Sequence, residues 1–214
     1  MEFDFTTLPS SDRYRLLTSF VVPRPIALVT TRAVTGSNNA APMSFFNVFS
    51  QDPPILILGI QGRAAGLEKD TMVNIRRTGD FVVNMVDRAL SEAMVICGVG
   101  FAEDVDELDI AGLTPVPGLK VDAARIAQSP CSMECRVERI IDFPNRAIVL
   151  GQVVQMSVRD DCLDNAGRYV MPEVYQPIAR LHADNYIGSD RQFVLKKPAE
   201  MAAKEADWLA GLAR

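Results

Sequence analysis

Two long segments near the middle of the chain, residues 131–143 and 147–164, constrain the fold most strongly. They read CSMECRVERIIDF and AIVLGQVVQMSVRDDCLD, and only the turn-forming PNR separates them. Both are rich in β-branched and apolar residues, which favour strands, and strands joined by so short a connection pair antiparallel. The sequence therefore predicts a long β-hairpin.

Other strand-like segments precede this hairpin. PIALVTTRA (25–33) ends before the turn-forming VTGSNN and predicts a second hairpin with the segment that follows, while ILILGI (55–60) and FVVNMV (81–86) predict two further strands. Helices are predicted at residues 69–79, 89–98, 106–112 and 198–214, with GVGFAED (98–104) as a loop that ends a helix. Because strands and helices do not alternate, an antiparallel barrel fits better than a wound parallel sheet.

We expect one domain over residues 1–214, mainly β with peripheral helices (α+β), with its core at about 20–198 and a C-terminal helix at about 198–213. The chain is 48% hydrophobic, as expected for a globular protein with a substantial core, and its net charge is −5 without a long basic run, which argues against nucleic acid as a partner. Neither a secretory signal nor a membrane-spanning apolar run is recognisable, so we expect a cytoplasmic protein without membrane contact.

The four cysteines and the single histidine offer little for a metal site, because the cysteines lack the spacing of zinc ligands. Reduced, buried thiols are the expected state. Cys131 and Cys135, if on one strand, would lie about 13 Å apart at about 3.3 Å per residue, too far for a disulfide. We therefore expect no metal.

The stretch SFFNVFS, residues 44–50, alternates in a way that places large apolar and small polar groups on both faces of a strand. Burying Ser44, Asn47 and Ser50 would cost free energy unless these side chains found hydrogen-bond partners. The sequence therefore raises the question of what they bind.

The segment KDTMVNIRRTG, residues 69–79, has the elements of an anion site. Asp70 or Thr71 can cap the helix, whose first N–H groups stay free beside Lys69, and Arg63 lies on the preceding loop. A dianionic phosphate could meet Arg63, Lys69, the Thr71 hydroxyl and the helix N-terminus together. An ordinary capped helix with solvated basic neighbours is the alternative, and this segment alone favours it.

Six fragments occur in a characteristic order along the chain: RPIALVTT (24–31), NxAPxS (39–44), SxxPP (50–54), KDTxxNI (69–75), TGxFVVN (78–84) and PIARLH (177–182). Together they resemble the flavin reductase-like family with an FMN-binding split barrel. The resemblance covers roughly residues 20–198. It implies a six-stranded antiparallel split β-barrel and a homodimer that binds FMN where the subunits meet.

The resemblance also implies roles for individual residues. Ser44, Asn47 and Ser50, with neighbouring backbone groups, would hydrogen-bond the ribityl chain and the polar edge of the flavin ring. Phe45, also expected at the cofactor site, would fill barrel or interface together with Phe46. Arg63, Lys69 and Thr71 would bind the phosphate, with Gln61 nearby. His182 lies in the region expected near the open flavin face, where it would touch flavin or a nicotinamide.

The resemblance implies a flavoprotein oxidoreductase in which NADH or NADPH passes a hydride to FMN. This reaction requires no dedicated acid or base, so no catalytic residue is assigned. Three other functions stay open: an FMN-containing electron carrier that meets a redox partner protein, the reductase component of a two-component monooxygenase, and a non-catalytic barrel that binds a small ligand or a protein.

Overall fold

The computed structural model describes residues 1–63, 66–102 and 104–198, together with Met201, Lys204, Glu205 and Trp208. The helices of this part are α1 (Ser10–Phe20), α2 (Asp70–Thr78), α3 (Ser91–Ile96) and α4 (Glu107–Ile110). The strands are β1 (Arg24–Pro25), β2 (Ala27–Arg32), β3 (Asn38–Met43), β4 (Phe46–Gln51), β5 (Pro54–Gln61), β6 (Asp80–Met85), β7 (Pro115–Val116), β8 (Arg125–Ile126), β9 (Cys131–Phe143), β10 (Arg146–Val158), β11 (Ile178–Arg180) and β12 (Tyr186–Gly188).

Seven of these strands form one antiparallel sheet in the order β3-β2-β6-β9-β10-β5-β4. The edge strands β3 and β4 follow one another in the chain, with only Ser44 and Phe45 between them. Because the chain crosses from one edge of the sheet to the other in two residues, the sheet has to curve into a barrel. The β3 edge comes into contact with β5, near the opposite edge of the sheet. The Gly59 N–H on β5 donates to the Phe45 carbonyl at 2.7 Å, which extends the pairing of β4 with β5 into the link. The predicted mainly-β barrel is therefore confirmed, with seven strands in its main sheet rather than six.

The long hairpin predicted from the sequence is β9 and β10, paired from Cys131 opposite Val158 to Phe143 opposite Arg146. The prediction of a strand as far as residue 164 was wrong. Beyond Val158 the backbone turns into a 3-10 helix at Asp160–Cys162, where Arg159 Nε donates to Asp161 Oδ1 at 2.7 Å. This charged turn ends the ladder.

Smaller elements surround the barrel. Strands β1, β11 and β12 form a three-stranded sheet and β7 pairs with β8; these short strands and α1 were not predicted. None of the helices in the described part of the chain is long and apolar enough to span a membrane. The predicted helix at 198–213 lies largely outside the described residues.

Strand β2 is buried on both faces, which explains its continuous apolar sequence. Ala27 and Val29 point into the barrel and join a core with Leu58, Phe81 and Val149. Leu28 faces the opposite way, into a second core that α3 and α4 cover. The two cores fix these helices against the barrel, beside the N-terminal end of α2.

Buried polar side chains anchor loops to the barrel. Asn84 is fully buried and makes four hydrogen bonds, donating to Leu28 O and Thr30 Oγ1 and accepting from Ile126 N and Ser132 Oγ. Because all four bonds are made, its burial leaves no donor or acceptor without a partner.

The buried carboxylate of Glu134 holds the loop before β8 in the same manner. It accepts hydrogen bonds from the backbone N–H groups of Leu119, at 2.9 Å, and Lys120, at 2.6 Å. Arg125 Nε lies 3.5 Å from the same carboxylate. These contacts offset the cost of removing its charge from water.

The barrel interior is close-packed where Phe81 of β6 meets Gly151 of β10. A Cβ atom at Gly151 would lie 2.4 Å from Phe81 Cζ and 3.3 Å from Cys135 Cβ. Phe81 and Cys135 are both fully buried, so neither can move toward solvent. A glycine at this position therefore leaves the space that the aromatic ring fills.

Gly151→Ala should destabilise the protein by about 1–3 kcal/mol, because the added methyl group overpacks the interior against Phe81. Urea unfolding measures this loss. The double variant Gly151→Ala/Phe81→Leu should lose less stability than the sum of the losses in the two single variants. The smaller side chain at position 81 makes room for the added methyl group. A Gly151→Ala protein as stable as wild type would contradict the packing described here.

Candidate functional site

A cleft of about 280 Å³ opens between β3, the start of α2 and the loop after α3. Residues 39–42, 69–71 and 97–101 form most of its wall, and Arg63, Glu107 and Arg180 complete it. Three of the residues predicted to hold a phosphate, Arg63, Lys69 and Thr71, therefore line one cleft.

The N-terminus of α2 borders this cleft without a side-chain cap. Lys69 is the N-cap residue, in extended backbone, and makes no capping hydrogen bond through its side chain. The prediction that Asp70 or Thr71 caps the helix was wrong, because both side chains bond elsewhere. The first N–H groups of α2 therefore keep their capacity to donate to an anion.

Charges on the cleft wall favour an anion. Arg63, Lys69 and Arg180 are its basic residues, and Asp70 and Glu107 are its acidic ones. Arg63 Nη2 donates to the Asp70 carboxylate, which holds the guanidinium beside the helix start. Cations at an uncapped helix N-terminus match the chemistry of a dianionic phosphate group.

Arg180 reaches the cleft from β11. Its guanidinium carbon lies 5.9 Å from the centre of the Tyr186 ring, and Nη2 lies 3.7 Å from the exposed Asp184 carboxylate. Arg180 and Tyr186 also line an adjoining cavity of about 190 Å³ together with Ser44. Arg180 thus stands where the two cavities meet.

A buried network lies behind the cleft wall. Thr71 is 1% exposed, and its hydroxyl donates to Asn39 Oδ1 at 3.0 Å. Asn39 Nδ2 donates to Glu107 Oε1 at 2.9 Å, and the Ala40 N–H donates to Glu107 Oε2 at 3.0 Å. The Thr71 proton is therefore directed into the protein, and the backbone N–H of Thr71 is the group left for a ligand.

Phe45 and Gln61, two of the residues predicted to bind FMN, line a different groove of about 640 Å³ beside α1. Phe45 is 45% exposed, and its ring lies 6.3 Å, centre to centre, from that of Tyr14. Ser44 lies in the cavity that Arg180 shares, where Arg24 Nε donates to Ser44 Oγ at 3.4 Å.

The remaining predicted residues are exposed or half-buried. Asn47 and Ser50 lie on the edge strand β4, in which Phe46 is the buried residue. The Asn47 side chain accepts a hydrogen bond from the Val48 N–H at 2.8 Å, so in the single chain these polar groups carry no burial cost. His182 is exposed on the loop after β11 and does not line the cleft.

Sequence reasoning did not assign a role to Asn39, Glu107 or Arg180. Asn39 and Arg180 lie within the fragments that carry the family resemblance. Spacing along the chain does not show, however, that β3 and β11 meet at α2. The loop at 98–101 was correctly predicted to end a helix, yet it also forms cleft wall.

All four cysteines are buried free thiols, as predicted. Burial raises the pKa of Cys97 to about 12 and that of Cys131 to about 11. Cys97 borders the cleft, but at neutral pH its thiol is protonated and poorly nucleophilic. The cleft chemistry therefore rests on its basic groups and backbone N–H groups.

Comparison with known proteins identifies the family. The sequence matches the flavin reductase like domain over residues 19–178. The chain belongs to the flavin reductase-like family, and its barrel is the split barrel of that family.

Two solved structures are similar over nearly the whole chain. The 2-nitrobenzoate 2-nitroreductase NbaA of Pseudomonas fluorescens is 36% identical, with a TM-score of 0.84 over 93% of this chain and 97% of that one. Nitrilotriacetate monooxygenase component B of Bacillus cereus is 30% identical, with a TM-score of 0.86 over 91% and 98%. An uncharacterized protein of Halalkalibacterium halodurans is 34% identical over 92% of this chain and 97% of its own length.

Proposed function

We propose that this protein binds FMN and reduces it with NADH or NADPH. The observation that carries this proposal is the uncapped N-terminus of α2, which faces the same cleft as Arg63, Lys69 and Arg180. The flavin phosphate would occupy this end of the cleft.

The donors on the cleft wall suit the flavin phosphate in number and type. Arg63 and Lys69 would donate charge-assisted hydrogen bonds worth about 1.5–3 kcal/mol each, and the helix N-terminus would add about 0.3–1 kcal/mol. Asp70 would keep Arg63 in place, since the ion pair leaves other guanidinium N–H groups free to donate.

The ribityl chain and the ring would extend from the phosphate toward the cavity lined by Ser44, Arg180 and Tyr186. Bound FMN would supply the two-electron chemistry and accept the hydride from the nicotinamide. The chain's own residues would bind and orient the two reactants. No residue is assigned as a general acid or base, and His182 stays a candidate for contact with the ring or a nicotinamide.

The related proteins support a redox function and suggest two kinds of electron acceptor. One is named a nitroreductase and the other the B component of a monooxygenase. In this chain, reduced flavin would either act on a small-molecule substrate within the site or leave for a partner enzyme.

The apolar surface around β4 supports a homodimer with flavin at the interface. Val48 and Phe49 of β4 are 62% and 70% exposed, and Leu17 and Phe20 of α1 are 48% and 81% exposed. An apolar surface of this kind is typical of a protein interface. A second subunit on this face would cover Asn47, Ser50, Phe45 and Gln61, which would bring the separated site residues to one interface.

Wild type should sediment as a dimer, and Phe49→Asp should sediment as a monomer, because a charge cannot be buried in an apolar interface without a partner. Val34→Asp is the matched control, since Val34 is 81% exposed in the turn between β2 and β3. Sedimentation velocity distinguishes these species. A monomeric wild type would overturn the dimer proposal.

Visible absorption of the purified protein tests the reaction. With FMN added, the spectrum should show bound flavin, and anaerobic NADH or NADPH should bleach it. Bound flavin that stays oxidised would favour an electron carrier, and weak binding with rapid turnover of added flavin would favour a reductase component. No bound flavin at any concentration would contradict the proposal and leave a ligand-binding barrel.

The double variant Arg63→Ala/Lys69→Ala should weaken FMN binding roughly 30- to 100-fold, since two charge-assisted hydrogen bonds are lost and both side chains are partly solvated. Quenching of flavin fluorescence measures the affinity. Riboflavin binding should change far less, because riboflavin has no phosphate. Arg168→Ala/Lys120→Ala, which removes two exposed cations elsewhere, is the control; equal FMN affinity in both double variants would exclude the phosphate site.

A further inference from the structure

A buried carboxylate lines the wall of a cleft that is otherwise suited to an anion. Glu107 is 6% exposed and borders the cleft between β3 and the loop after α3. Among the residues that the structure describes, no cation forms an ion pair with it; its two oxygens accept from Asn39 Nδ2, at 2.9 Å, and from the Ala40 N–H, at 3.0 Å. The proposed function gives this residue no part.

An ionised Glu107 determines how the side chain of Asn39 is turned. A carboxylate can only accept hydrogen bonds, so Asn39 presents Nδ2 to it and Oδ1 to the opposite side. There Oδ1 accepts from the hydroxyls of Thr71, at 3.0 Å, and Thr31, at 3.2 Å. In this state the Thr71 hydroxyl has no proton to offer an anion at the start of α2.

We propose that Glu107 couples anion binding in this cleft to the uptake of one proton. A proton from solvent adds to a Glu107 oxygen, which then donates to Asn39 Oδ1 after the amide has turned over. Asn39 Nδ2 now donates to Thr71 Oγ1, and the Thr71 hydroxyl proton is released to donate to the phosphate. Glu107 is thus a positioning residue that acts through Asn39 and Thr71, and this inference rests on the proposed binding of FMN.

The surroundings of Glu107 favour proton uptake when an anion enters. Burial raises the pKa of Glu107, and the nearby Asp70 carboxylate acts in the same direction. The other ionisable groups around it are Asp106, the Cys97 thiol and the cleft cations Arg63, Lys69 and Arg180. A phosphate dianion would offset these cations and add negative charge beside Glu107, so it would raise the pKa further.

The direction of the pH dependence follows from linkage. Because the bound state holds one more proton than the free state, affinity is greatest at low pH. It falls as pH rises through the pKa of Glu107 in the free protein, by up to about tenfold per pH unit. Glu107→Gln fixes the proton-loaded arrangement, since its amide nitrogen can donate to Asn39 Oδ1 at every pH.

Calorimetric titration of the full-length protein with FMN, at several pH values and in buffers of different ionisation enthalpy, counts the protons taken up. At pH 7.5 the phosphate of free FMN is largely ionised, its second pKa being about 6, so any uptake comes from the protein. We expect wild type to take up one proton more than Glu107→Gln, and Glu107→Gln to bind FMN as tightly as wild type or more tightly at pH 8. Asp104→Asn, which removes an exposed carboxylate from the turn just before α4, should match wild type.

A purely structural role for Glu107 predicts a different result. Glu107→Gln would then bind FMN more weakly by the same factor at every pH, with the wild-type number of protons, and the inference would be wrong. If the variant does not fold, the wild-type protein alone decides the question. Proton uptake at pH 7.5 on binding FMN but not on binding riboflavin supports the coupling, and equal proton uptake with the two flavins overturns it. Failure of wild type to bind FMN at any pH would instead remove the proposed function itself.

Discussion

Closure of the sheet through the two-residue link between β3 and β4 is the constraint on which the rest of the structure depends. These strands occupy opposite edges of the sheet, so Ser44 and Phe45 can join them only if the sheet curves into a barrel. The same closure leaves β3 in contact with α2 and leaves β4 with an exposed side. The cleft and the apolar surface around β4 are therefore both products of how the sheet closes.

Buried hydrogen bonds, rather than apolar contacts alone, determine how the cleft wall is built. Asn39 is 8% exposed and joins α2 to α4 through Thr71 and Glu107. Thr31 of β2 accepts from Asn74 of α2, at 3.1 Å, and extends the same network into the sheet. Each group has a fixed donor or acceptor role, so a change in one proton position alters the others.

The sequence was informative where local chemistry decides structure and uninformative where tertiary contacts do. Periodicity and turn residues sufficed for the β9–β10 hairpin and for α2, whose C-cap Gly79 adopts the left-handed conformation at φ 71°. The prediction of the helix cap was wrong because the Thr71 side chain bonds Asn39, 32 residues earlier, and the Asp70 side chain bonds Arg63. Arg180 and Glu107 reach the cleft through long-range packing of β11 and α4, which spacing along the chain does not encode.

The attachment of α1 has a consequence for the order in which the molecule opens. Thr18 is the buried residue of this helix, and the buried Arg24 holds it by donating to the Thr18 carbonyl at 2.7 Å and to Leu181 O at 2.8 Å. With so little apolar area buried, α1 has a lower free energy of local unfolding than the barrel. Its detachment would remove one wall of the groove and separate the Tyr14 ring from that of Phe45, while the sheet stayed intact. The shape of the groove therefore depends on a helix that can open without unfolding of the barrel.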